Sequence, residues 1–189
     1  MTLEEAIEKG IIKDTRQYNQ SPCFHDYCVL DLETTGLSKR KDKIIEIGIL
    51  KIRDNDIVDT YNQLVNPDTE ISYFIENLTG ITNEMLLEEP CFDDIKSDCL
   101  RFIGDDAIIG YNIGFDLGFL ESHYGYRLPN ESLDLLIYAR RFYPEMPHHG
   151  LSDMVKALDL EKNAHRALAD CYATNDLYGH IKKKFKEVR

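Results

Sequence analysis

Tyr27 to Glu33 is a nearly continuous apolar run through Cys28, Val29, Leu30 and Leu32. Such a run has the pattern of a strand covered on both faces. Ile44 to Ile52 repeats it, with Ile-Ile-Glu-Ile-Gly-Ile-Leu at its start. The polar Asp54-Asn55-Asp56 then turns the chain into a third predicted strand, Ile57 to Val65, stopped by Asn66-Pro67. Three strands thus come first, as a hairpin meander. The period changes after that. Phe92, Ile95, Cys99 and Phe102 or Ile103 mark a helix over Phe92 to Ile103, and a short strand is predicted over Ala107 to Tyr111. Phe115 to Tyr124 is helical through Leu117, Leu120 and Tyr124, and Ser132 to Phe142 and Leu151 to Leu158 are two more helices. Ala167, Cys171, Thr174, Tyr178, Ile181, Phe185 and Val188 step by four and three, one stripe on a long last helix. A strand meander followed by alternating helices and strands predicts a mixed sheet with helices on its faces, an α/β domain. Residues 1–26 read as an extension, with a short helical stretch from Leu3 to Ile11 and a polar segment through Asn19-Gln20-Ser21-Pro22; residues 27–189 form the single domain.

Composition narrows the class. The 189 residues are 43% apolar and 30% charged, an ordinary globular balance. No apolar run approaches the roughly 20 residues of a membrane-spanning helix, so no membrane partner is expected. The N-terminus has no basic-then-apolar leader, which makes the cytoplasm the expected compartment. Five scattered cysteines, an odd number without Cys-x-x-Cys spacing, read as reduced thiols. The 22 basic residues face 34 acidic ones, a net charge of −12, which argues against holding long nucleic acid on a basic face.

The placement of three sets of acids changes the picture. Asp31 and Glu33 end the first strand, and residues two apart on a strand share a face, here with Val29. Asp68-x-Glu70 and Asp159-x-Glu161 have the same spacing but end no apolar strand. Asp116 follows the Ala107–Tyr111 strand and lies four before Leu120, on the inward stripe of its helix, where a first-turn acid favouring the helix dipole is the plainer reading. Asp170 precedes Thr174 by one turn and borders the inward stripe of the last helix. Five helical residues would separate His165 from Asp170 by about 140°, so a shared site requires His165 at or before the helix start. Acids gathered from separate segments need neutralising, and oxygen-only ligands suit Mg²⁺ or Mn²⁺ rather than tetrahedral zinc. Two such ions about 4 Å apart are the arrangement that clamps a phosphoryl displacement, and a nearby His is suited to accept the proton of the attacking water.

Asp31-Leu32-Glu33-Thr34-Thr35-Gly36-Leu37, Asn112-x-x-Phe115-Asp116 and His165-Arg166-Ala167-x-x-Asp170 together resemble the three motifs of the DEDDh 3′–5′ exonucleases, such as the proofreading (epsilon) subunit and exonuclease domain of bacterial DNA polymerase III. Leu78-Thr79-Gly80-Ile81-Thr82 is similar to a stretch common in that group, and the likeness runs from about Tyr27 to Leu177. The resemblance implies an RNase H-like fold, two divalent cations (Mg²⁺ or Mn²⁺) and release of nucleoside 5′-monophosphates from a 3′ end. It implies Asp31, Glu33, Asp116 and Asp170 as metal ligands and His165 as general base. Thr34, Thr35 and Leu37 would contact the terminal nucleotide, with Asn112 and Phe115 shaping the site. Tyr111 departs from the family, many members of which have His there.

Single-stranded 3′ ends, DNA ahead of RNA, are the expected partner, the chain acting alone or with a polymerase as a separate chain. An RNA-trimming member of the family and a non-catalytic end-binding module are the alternatives; the second requires a lost ligand or base, and all five positions are present. Other features read more plainly. His148-His149-Gly150 is a helix start, and Asp54, Asp56 and Asp59 lack the glycine and glutamate of a calcium loop. Lys39-Arg40-Lys41 reads as a solvated loop and Arg140-Arg141 as a helix C-terminus, phosphate contact being the alternative for both. Lys182-Lys183-Lys184 is the outer face of the last helix.

Overall fold

In the computed structural model, residues 23–160 and 165–187 are described. The Leu3–Ile11 helix and Val188 lie outside them. The meander forms as the pattern predicts: β1 (Tyr27–Thr34), β2 (Ile44–Arg53) and β3 (Asp56–Leu64) are antiparallel neighbours. β4 (Ala107–Gly110) adds to the other side of β1 in parallel. A fifth strand, β5 (Ser132–Asp134), pairs in parallel with β4, giving the order β3-β2-β1-β4-β5. The predicted helix over Ser132–Phe142 is therefore corrected: its first three residues are strand, and the helix α5 is Leu135–Phe142. Asp134 ends the strand and caps the helix, its side chain accepting from the Leu136 N–H at 3.0 Å. Three residues are too few to display a two-residue period, so apolar Leu133 and Leu135 join the helical pattern that follows.

The remaining helices are α1 (Tyr73–Thr79), α2 (Asn83–Leu86), α3 (Phe92–Ile103), α4 (Gly114–Tyr124), α6 (Leu151–Leu158) and α7 (Ala167–Glu187). The first two were not predicted. Both are too short to show an amphipathic period; Ser72 and Thr82 side chains cap them instead. They close a small cluster of Ile71, Ile75, Ile81 and Leu86 over Ile45.

Both faces of the sheet are covered. Val29, Leu50, Ile52 and Ile109 pack against α5, α6 and α7, while Leu30, Ile47, Ile49 and Ile108 pack against α3 and α4. β1 lies between β2 and β4 and is buried on both faces, which is why its sequence is almost unbroken apolar. The predicted stripe of α7 is buried at Ala167, Cys171, Thr174, Tyr178 and Ile181. Lys182 is more than an outer-face cation: its ammonium stands 4.4 Å from the Tyr178 ring centre and 5.1 Å from that of Tyr27.

Candidate active site

The C-terminal end of β1 delivers the first two carboxylates. Asp31 lies across the ladder from Gly48 and Glu33 from Glu46. Their face is that of Val29, which packs against α7, and the first turn of α7 carries Asp170 onto it. Asp31, Glu33 and Asp170 each place a carboxylate oxygen within 4.8 Å of the others. Asp116, buried at the first turn of α4, comes to the same strand end, where its Oδ1 accepts the Leu32 N–H at 3.0 Å. It stands outside the three-acid group, but its charge acts on Asp31.

Burial and mutual repulsion dominate the electrostatics. Burial, then the charges of Asp116, Asp170 and Glu33, hold the Asp31 carboxyl well above the usual range. Glu33 is pushed up to about 8 by burial and by Asp170 and Glu46, with the Arg166 guanidinium opposing. Burial also raises Asp116 to about 8, although backbone N–H donors work against it. Oxygen-only donors that repel one another are a chemical fit for hard divalent cations, whose charge would relieve what burial imposes.

His165 has φ +48° and lies two residues before Ala167, where α7 starts, so it precedes the helix as a shared site requires. Its side chain is exposed and outside the three-acid group. Asn112, exposed with φ +60°, is held through its backbone: its N–H donates to Asp134 Oδ1 at 2.9 Å. Tyr111 at the departure position donates its hydroxyl to the His149 carbonyl. Phe115 packs on Phe119 with ring centres 4.9 Å apart. In the loop after β1, Thr34 Oγ1 donates to the Gly36 carbonyl at 2.7 Å, and Thr35 Oγ1 accepts the Lys43 N–H at 3.0 Å. A Cβ on Gly36 would stand 2.6 Å from Asp42 Oδ2, so a larger residue there would displace the carboxylate that accepts the Ser38 N–H. Leu37 projects from the loop, 88% exposed. Arg140 and His148 line a cleft of about 740 Å³ that also includes Asn112, and Lys39 and Arg40 line a second of about 360 Å³.

Sequence reasoning assigned no role to three residues that organise this end of the sheet. Asp134 ties the Asn112 backbone to the start of α5. Glu46, fully buried, receives the Arg166 guanidinium. The signal for Glu46 was available, a charged residue inside the apolar Ile44–Leu50 run.

Comparison with known proteins bears on the family and the fold. The exonuclease family model RNase_T matches residues 28–178. A DNA polymerase III of PolC type from Clostridium perfringens is 37% identical over 166 residues, covering 86% of this chain. The chain spans only 12% of that relative's length. Exonuclease X, solved with a 5′-overhanging duplex DNA, superposes with a TM-score of 0.70 at 27% identity, covering 84% of this chain and 92% of that one. Exonuclease I of E. coli, solved with a dA16 oligonucleotide, shares the fold with a TM-score of 0.72 at 20% identity, over 87% of this chain and 43% of its own.

Proposed function

The chain belongs to the exonuclease family, and from that premise we propose that it is a metal-dependent 3′–5′ exonuclease that releases nucleoside 5′-monophosphates from single-stranded DNA ends. The observation that carries this reading is the convergence of Asp31, Glu33 and Asp170 at one strand end, with buried Asp116 beside them. Asp31, Glu33, Asp116 and Asp170 would hold two divalent cations, Mg²⁺ or Mn²⁺, which when bound supply positive charge to the scissile phosphate and its attacking and leaving oxygens. His165 accepts the proton of the attacking water, from an exposed position just before α7. Leu37 offers an apolar surface to the terminal nucleotide, which Thr34 and Thr35 on the same loop also contact, with Asn112 and Phe115 shaping the site. DNA is favoured over RNA because the similar proteins include DNA polymerases and an exonuclease solved with DNA. A polymerase is the proposed protein partner on the same ground.

The test is digestion of 5′-labelled and 3′-labelled single-stranded DNA and RNA with Mg²⁺ or Mn²⁺, beside an Asp31→Ala control. The expected result is immediate release of labelled mononucleotide from the 3′-labelled strand and a shortening ladder from the 5′-labelled one, on DNA faster than on RNA. The reverse pattern overturns the polarity, faster RNA digestion overturns the substrate, and no digestion of either overturns the reaction.

A further inference from the structure

Glu46 is an anomaly in its own strand. It is 0% exposed within the apolar run of β2, and a buried carboxylate is costly unless fully paired. The pairing is dense. Glu46 Oε1 accepts from Arg166 Nη2 at 2.7 Å and Nε at 3.1 Å, while Oε2 accepts from the same Nε at 3.0 Å and from the Ala167 N–H at 3.0 Å. One carboxylate therefore grips a side chain and the adjacent backbone, at the two residues that follow His165.

The next residue on the same face of β2 continues the seat. A Cβ on Gly48 would lie 2.4 Å from the Ala167 carbonyl carbon and 2.5 Å from Leu168 N, so glycine lets the first turn of α7 lie directly on the strand. One turn on, the Cys171 thiol donates to the Gly48 carbonyl at 3.2 Å. An apolar stripe sets the rotation of a helix on a sheet only to within the width of the stripe. A carboxylate bound to a backbone N–H and a guanidinium fork fixes both rotation and height. Asp170 lies three residues past Ala167, about 300° round the helix, and so returns over the seated face. Across the ladder, Glu46 stands opposite Glu33, and the charge of Arg166 reaches Glu33 as well.

We propose that Glu46 is a positioning residue: it seats the first turn of α7 on β2, setting Asp170 against Asp31 and Glu33 and fixing the chain just after His165, and it holds the Arg166 guanidinium off Glu33. This rests on the exonuclease reading for the roles of those four residues. Removing the charge of Glu46 has two consequences. The seat loosens, and a cation is released beside an acid that is to hold a metal.

The test compares the intact chain with Glu46→Gln and with the double variant Glu46→Gln/Arg166→Gln. Three quantities are read: Mn²⁺ affinity by calorimetry, thermal melting, and kcat and KM on single-stranded DNA. For Glu46→Gln, Mn²⁺ affinity and kcat should each fall by about 10–100-fold, the range for groups that orient metal ligands. KM should stay within about threefold, since the substrate-contacting loop is untouched. In the double variant Mn²⁺ affinity should recover at least about fivefold, because the released cation is gone, while kcat stays low because the seat is still lost. Affinity and kcat within about twofold of the parent in Glu46→Gln overturn the proposal, and no recovery in the double variant overturns the part concerning Arg166. If Glu46→Gln does not melt cooperatively, Arg166→Lys keeps the charge without the fork: a fall in kcat of about tenfold or more is expected, and a parental rate overturns the seat. Should the intact chain digest no DNA, the exonuclease reading fails on its own, and the calorimetry still decides the role of Glu46.

Discussion

A carboxylate buried among other carboxylates holds its proton more tightly in the folded chain than in the unfolded one. Glu33 is raised from 4.5 to about 8 and Asp116 from 3.8 to about 8, burial being the first cause for both. Between those limits the folded state binds more protons, so their contribution to stability is complete below the ordinary carboxylate range and is lost as pH rises through about 8. Without divalent ions, the melting temperature should therefore fall from pH 5 to pH 8.5, and Glu33→Gln should flatten the fall. Mn²⁺ should raise the melting temperature more at the upper end of that range than at the lower. Melting that rises with pH in metal-free buffer would contradict the assignment of these acids as a repelling cluster. His165 belongs to the same scale. On its proposed role as proton acceptor, its replacement by Ala or by Gln should lower kcat equally, by about 10²–10⁴-fold. Its exposed side chain should leave the melting temperature unchanged. Near-normal turnover of His165→Ala would remove it from the reaction.

At the scale of elements, α7 is both the largest packing unit against the sheet and the carrier of Asp170. These two roles separate along its length. Gly48→Ala forces a Cβ against the first turn and should destabilise the fold by about 1–3 kcal/mol, with kcat falling as well. Leu177→Ala, fully buried two turns along, should cost about 2–5 kcal/mol yet leave kcat nearly parental at a temperature where the variant is folded. Denaturation midpoints beside initial rates check the contrast; an inactive but folded Leu177→Ala would show that the whole helix, not its first turn, sets the site. The strands of the meander, α3, α4, α6 and α7 were legible because each is long enough to repeat its period, and β4 was placed with only its last residue beyond the observed strand. β5, α1 and α2 were not, being three, seven and four residues long. Such elements owe their state to partners: β5 to the open edge of β4, α1 and α2 to the Ile45 cluster.

Across the whole molecule the net charge of −12 sets how substrate is held. On the proposed function, so acidic a chain is expected to grip a few terminal nucleotides through local contacts rather than along a basic track. Single-strand binding should weaken with salt at a log–log slope of about −0.7 per phosphate engaged, and fluorescence titration over a range of salt should give a slope shallower than about −4. A steeper slope would show that the Arg140 and Lys39 clefts carry the strand over a longer path.

The sequence by itself determined the acids, their order and the elements that bear them, because local periodicity records which face of a strand or helix is buried. It placed Asp31 and Glu33 on one face and Asp116 inward on its helix, and it required His165 at or before the start of the last helix for a site shared with Asp170. Only the tertiary structure decided that α7 lies on the Val29 face, bringing Asp170 to Asp31 and Glu33 while Asp116 binds the Leu32 N–H from the side. It alone joined Glu46 to Arg166, 120 residues apart. A period states that a face is covered but not by what, and an ion pair spanning most of the domain leaves no repeat to read. The one trace it left was a charged residue in a strand that had no local reason to carry it.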